Sequence, residues 1–166
     1  AESRLRSVFR AAPVGIGLVC NRVLVEVNDR LCEMVGYRPD ELLGRNSLML
    51  YPGREEWEFV GREKYRQIAE RGTGVVETRW RRKDGEVIDV LLSSTPLDPA
   101  DLEKGVTFTA LDISEQKRME EALRFTQFAI DHLADGAVWL TEEARFSYMN
   151  DASCRLLGYS REELEQ

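Results

Sequence analysis

One stretch of this chain is written twice. Residues 27–42, Val-Asn-Asp-Arg-Leu-Cys-Glu-Met-Val-Gly-Tyr-Arg-Pro-Asp-Glu-Leu, are answered at 149–164 by Met-Asn-Asp-Ala-Ser-Cys-Arg-Leu-Leu-Gly-Tyr-Ser-Arg-Glu-Glu-Leu. No gap is needed, and seven of the sixteen positions are identical, all of them Asn, Asp, Cys, Gly, Tyr, Glu or Leu. The same register continued upstream pairs Ile16 with Val138 and Leu18 with Leu140. A chain of 166 residues therefore holds one whole repeat and the opening of another.

The repeated unit has a local physical reading. Val23 to Val27 is strand-like, and Asn28 and Asp29 follow it as N-caps, whose side-chain oxygens accept from free N–H groups at a helix start. Leu31, Met34 and Val35 recur at helical spacing, and Gly36 stands where a helix commonly ends in a left-handed residue. Pro39, with Asp40 and Glu41, opens a second short helix stopped by Gly44. The unit reads strand, helix, turn, one-turn helix.

Elsewhere the period alternates between helix and strand. Residues 3–12 read as an amphipathic helix ended by Pro13, and Gly15 to Cys20 with Val23 to Asn28 as a hairpin turning at Asn21-Arg22. Residues 54–71 form the long helix of the repeat, with Trp57, Gly61, Tyr65 and Ile68 on one stripe. Beyond Gly74 the period becomes two-fold: Val76, Thr78 and Trp80 face one way, and Glu77, Arg79 and Arg81 the other. Lys83-Asp84-Gly85 turns the chain into a strand from Val87 to Thr95, and Val106 to Ile113 is a fifth strand. Five strands with a helical insertion after the second predict an α+β fold, an antiparallel sheet covered by helices on one face.

From 114 to 133 there is no Gly or Pro, and Met119, Leu123, Thr126, Ile130 and Leu133 make a heptad seam. Asp112 with Glu115 has the shape of a capping box at its start. The expected division is an N-terminal helix at 1–13, a domain at 14–113, a linker helix at 114–133 and a truncated second domain at 134–166.

Composition narrows the function. The net charge of -7 argues against nucleic acid, so Arg79-Trp80-Arg81-Arg82-Lys83 reads as an alternating strand and its turn. No long apolar run or leader pattern is present, so a cytoplasmic location without membrane contact is expected. Cys20, Cys32 and Cys154 are an odd, scattered set that reads as reduced structural thiols. Phosphate-loop, dinucleotide and nucleophile-base motifs are missing, as is any His and Cys metal cluster, so this stretch is expected not to be an enzyme.

Three motifs in order resemble the PAS domain family. The Asn28-to-Gly44 run is similar to its strand-to-helix segment, 81–86 to its long hairpin, and Leu111-Asp112-Ile113-Ser114-Glu115 to the exit motif leading into a signalling helix. The resemblance implies the strand order 2-1-5-4-3 and a cavity between sheet and helices. It also implies a role in sensing a small molecule, a cofactor state or a partner, and a bacterial array ending in a histidine kinase or diguanylate cyclase. Ligand contacts are expected at Cys32, Asn46, Trp80 and Ser94, and signal relay at Asp112, Ile113 and Glu115. A homodimer is expected through Leu5, Val8, Phe9, Met119, Leu123 and Ile130, with the output domain of the same polypeptide as the other partner. The rival expectation is a ligand-free scaffold that spaces and pairs signalling domains.

The cofactor is unknown at this level. Haem-binding members use a histidine on the long helix, and residues 54–71 have none; the single histidine, His132, lies in the linker. Light-sensing members form a flavin adduct through a cysteine soon after Gly-Arg-Asn. Here Gly44-Arg45-Asn46 is followed by Ser47, whose hydroxyl cannot form that adduct. Non-covalent flavin stays open, with Trp80 as a stacking partner or simply as core.

Overall fold

The computed structural model describes residues 2–164, apart from the side chains of Glu2, Leu5 and Leu164. The chain divides into two compact units, residues 1–115 and 116–166.

The first unit opens with helix α1 (Glu2–Ala11), which stops before Pro13. Strands β1 (Gly15–Cys20) and β2 (Val23–Val27) follow, joined by Asn21 and Arg22, both at positive φ (48° and 65°). Two left-handed residues make the tight turn whose twist matches that of antiparallel strands. Asn28 then caps α2 (Asp29–Val35), and Gly36, at φ 76°, ends it with a bond from its N–H to the Cys32 carbonyl. Pro39 starts α3 (Pro39–Leu42). Residues 44–47 run along the edge of β2, where Leu24 donates to Arg45 and Gly44 to Leu24.

Helix α4 (Arg54–Arg71) closes at left-handed Gly72, and β3 (Gly74–Arg81), β4 (Val87–Pro96) and β5 (Val106–Asp112) complete the sheet. Its order, β2-β1-β5-β4-β3, is the one the resemblance implies, with every pair antiparallel. Along β3 burial alternates strictly, Val76, Thr78 and Trp80 being buried. That face, with Val19, Leu92 and Phe108, packs against Leu31, Val35, Leu42, Val60 and Ile68 of the helices.

Gly17 shows how tightly β1 is held in this layer. A Cβ there would lie 2.5 Å from Phe108 Cζ and 2.9 Å from the Glu26 carbonyl oxygen. Gly17→Ala is expected to cost about 2 kcal/mol by overpacking, measurable as a fall in the urea midpoint at unchanged slope.

Helix α5 (Ser114–Asp131) is unbroken and begins at the unit boundary. The second unit adds β6 (Val138–Leu140), β7 (Phe146–Met149), α6 (Asp151–Leu157) and α7 (Arg161–Leu164). Its hydrogen bonds correct the upstream register read from the sequence. Ala137, and not Val138, occupies the place of Ile16: each donates its N–H to the repeated asparagine and accepts that asparagine's N–H. Trp139 accordingly stands where Leu18 does, opposite Tyr148 as Leu18 is opposite Glu26. The second hairpin turn, closed by Thr141 and Arg145 around left-handed Ala144, is one residue longer. A gapless register cannot cross such a turn.

Candidate functional site

The core of the first unit leaves one small cavity between the sheet and α4. Val19, Leu92, Trp80 and Phe108 form its sheet wall, and Leu24, Leu50, Tyr51 and Lys64 lie around it, with Ser47 and Arg22 also lining it. The room open to the centres of water-sized spheres is about 20 Å³, enough for one water molecule. Trp80 meets Tyr51 and Phe108 edge to face, at 6.2 Å between ring centres in each pair. The Trp80 indole N–H, at 2% exposure, makes no hydrogen bond of full geometry, and the Tyr51 hydroxyl oxygen is the acceptor beside it.

Two cations border this apolar space. Lys64 lies on the buried stripe of α4 with Val60, Gly61 and Ile68, and is 6% exposed. Its ammonium makes no salt bridge among the described residues, and its marked contact is the Tyr65 ring, 5.0 Å away. Burial, helped by the nearby Arg22 charge, depresses its pKa to about 8. Arg22 reaches from the β1–β2 turn onto α4. Its guanidinium stacks 3.5 Å over the Trp57 ring and donates to the Trp57 carbonyl. It also packs on Gly61, where a Cβ would come within 2.6 Å of a guanidinium nitrogen. Trp57 in turn donates its indole N–H to Ser47 Oγ at 3.1 Å. The nearby carboxylates are engaged elsewhere: Glu56 accepts from Thr78 at 2.7 Å and pairs with Arg79, and Glu58 lies 3.9 Å from Arg54.

Of the four ligand-contact candidates, Trp80 alone is in the cavity wall. Ser94 is buried without a partner for its hydroxyl, but lies further along β4. Cys32 packs half-buried against the core from α2, its thiol pKa pushed up by burial and by Asp29. Asn46 is exposed and caps a 3₁₀ turn (Ser47–Leu50) by accepting from Leu48. Arg22 and Lys64 were missed by sequence reasoning. For Lys64 a signal existed, because it falls three and four residues from the buried positions Gly61, Val60 and Ile68.

The exit from the sheet is built from three adjacent residues. Ile113 N–H donates to the Asp89 carbonyl of β4, Ser114 Oγ accepts from Asp89 N–H, and Asp112 Oδ1 accepts from Ser114 N–H at 2.9 Å. Asp112 thus makes a local turn two residues long, in place of the capping box read with Glu115, which is exposed. Ile113 is buried.

Among the dimer candidates, Met119 (64% exposed), Leu123 (69%) and Val8 (63%) are open to solvent, Phe9 and Ile130 are half-buried, and the Leu5 side chain lies outside the described residues. Leu123 and Ile130 border a groove of the second unit together with Trp139 and Tyr148.

Comparison with known proteins agrees with this geometry. The family model of the PAS domain matches residues 13–115, and that of the PAS fold matches 124–165. The sensor protein TdiS of Thauera aromatica is 35% identical over 118 residues. The match covers 70% of this chain and 21% of that protein, so the chain spans about a fifth of its length. The PAS domain of a LuxR-family transcriptional regulator from Burkholderia thailandensis, solved in complex with ethanol, superposes with a TM-score of 0.62 at 26% identity. That likeness covers 66% of this chain and 96% of that one. A Rhodobacter sphaeroides LOV protein gives a TM-score of 0.57 at 25% identity, covering 74% of this chain and 72% of that one. The strand order, the helix-covered cavity and a family match spanning most of the residues have one common reading: the chain belongs to the PAS domain family, the sensor domains of signalling proteins.

Proposed function

We propose that this chain is a sensory and dimerising module. A small molecule or partner acts on the first unit, and the change leaves through α5 toward an output domain of the same polypeptide, of the histidine kinase or diguanylate cyclase kind. The observation that carries the reading is the junction at Asp112, Ile113 and Ser114. Backbone and side-chain bonds from this junction grip Asp89 of β4, and an unbroken 18-residue helix starts there. A shift of β4 against β5 therefore moves the first turn of a rigid rod. A cytoplasmic setting belongs to this reading; among the described residues no helix is long and apolar enough to cross a membrane.

Dimerisation through α5 is supported by Met119, Leu123 and Phe125, three large apolar side chains left mostly exposed on one helix. Burying each is worth about 1.5–3 kcal/mol. Sedimentation of the wild-type chain is expected to give a dimer, and Met119→Lys with Leu123→Lys a monomer. An unchanged mass in the double variant would remove the pairing.

A second reading, the ligand-free scaffold, draws on the water-sized room in the cavity. The likeness to LOV proteins supports a non-covalent flavin as a third, although an isoalloxazine would have to part Trp80, Tyr51 and Phe108. Native mass and visible absorption of freshly purified protein separate the three: added mass without colour favours a small ligand, yellow colour a flavin, and a bare chain the scaffold.

A further inference from the structure

Resting on the reading of the first unit as a sensor, we propose that its cavity is an anion site for a small organic carboxylate, held between Arg22 and Lys64. A buried ammonium without a counter-ion is costly, and proteins normally pair it or replace it with an apolar side chain. Here two cations border the same cavity, no carboxylate of the described residues pairs with either, and Glu56 and Glu58 are engaged with other partners. The missing negative charge is what a ligand would bring.

The other donors fit the same chemistry. The buried Trp80 indole N–H has only an ill-aligned acceptor, the Tyr51 hydroxyl, and Ser47, whose oxygen already accepts from Trp57, has its own proton free to give. Apart from the Tyr51 hydroxyl, the rest of the wall, with Leu24, Leu50, Leu92 and Phe108, is apolar. That combination selects a carboxylate with a short hydrocarbon body over inorganic phosphate, which has no apolar part to bury and needs more donors.

A way in is also present. Arg22 lines both this cavity and an outer groove formed with Glu58, Arg62 and Tyr65. Its side chain is the partition between them, held by the Trp57 stack and carbonyl. Swinging it off Trp57 would join the two spaces and enlarge the water-sized room.

The test uses the whole chain with isobutyrate, its uncharged analogue isobutyramide, and inorganic phosphate at matched ionic strength, read by tryptophan fluorescence and thermal unfolding. Isobutyrate is expected to bind and raise the unfolding midpoint, with isobutyramide and phosphate about tenfold weaker or inert. Lys64→Met and Arg22→Gln, each checked for a wild-type circular dichroism spectrum, are expected to weaken isobutyrate about tenfold or more. Equal binding of isobutyramide, stronger binding of phosphate, or no response to any probe overturns the carboxylate site. In that case the native mass of the freshly purified chain decides the sensory reading separately: a stoichiometric added mass keeps it with another ligand, and a bare chain removes it.

Discussion

Lys64→Met is expected to make the first unit more stable, by about 3 kcal/mol near neutral pH, which corresponds to roughly 10 °C in the thermal midpoint. The native amine has a pKa of about 8, against 10.5 for a free lysine, because folding strips water from it. Below about pH 8 both folded and unfolded chains carry the proton, and the folded one bears the whole penalty. Between about 8 and 10.5 the folded amine is neutral while the unfolded one still binds a proton, so stability rises with pH through that window. Methionine removes both the penalty and the rise, and fills nearly the same volume with a flexible apolar chain.

Other groups around Lys64 do not imitate this. Arg22 remains charged throughout. Burial pushes the Tyr51 phenol up, so its contribution falls with pH at the alkaline end, and the raised Cys32 thiol acts in the same sense. Thermal unfolding of wild type and variant at a series of pH values isolates the lysine, since those two terms are common to both. A methionine variant less stable than wild type, or two parallel pH curves, would show that the ammonium is well solvated or paired.

Asn28→Ala is expected to cost the first unit about 3–5 kcal/mol. The side chain is 2% exposed and makes four bonds. Its Oδ1 accepts from Ile16 N–H at 2.8 Å and Leu31 N–H at 2.9 Å, while its Nδ2 donates to the carbonyls of Phe9 and Val14, both at 3.0 Å. One amide thus joins the end of α1, the start of β1 and the start of α2. Alanine strands all four backbone groups. Aspartate keeps both acceptor bonds but sets a negative oxygen against two carbonyls, so Asn28→Asp should be nearly as damaging. Urea unfolding measures both, and a loss under about 1 kcal/mol for alanine would mean that water replaces the amide. Asn150 repeats the arrangement, accepting from Ala137 and Ser153 and donating to Ile130 and Asp135.

Most strand and helix limits were legible because their signals are local. Gly36 and Gly72 end helices in the left-handed region, Pro13 follows α1, and the alternation from Val76 to Trp80 is the buried pattern of β3. Asn28 was legible as a cap, which is half of what it does; its two donor bonds reach back to 9 and 14, and nothing local encodes them. The cavity wall was less legible for the same reason. Spacing places Lys64 on the stripe of Val60, Gly61 and Ile68, but a charged residue there reads as its solvated edge until the fold shows it covered. Arg22 sits in a turn whose residue type is free, and its stack on Trp57 is a contact across 35 positions. Asn46 attracted a ligand role through its place in a motif, yet its side chain is used in holding the backbone of a 3₁₀ turn.

The helix that leaves the first sheet is also the one that Asn150 grips at Ile130, just as Asn28 grips α1 at Phe9. One rod thus serves as tail for one copy and head for the next. Such a rod cannot be lengthened at will: each inserted residue turns its far end by about 100°, so additions of about seven, eleven or eighteen residues return the two ends to within about 20° of phase, and one or two do not. On the relay proposed above, an insertion of one or two residues in this helix is expected to change the output while leaving each domain folded.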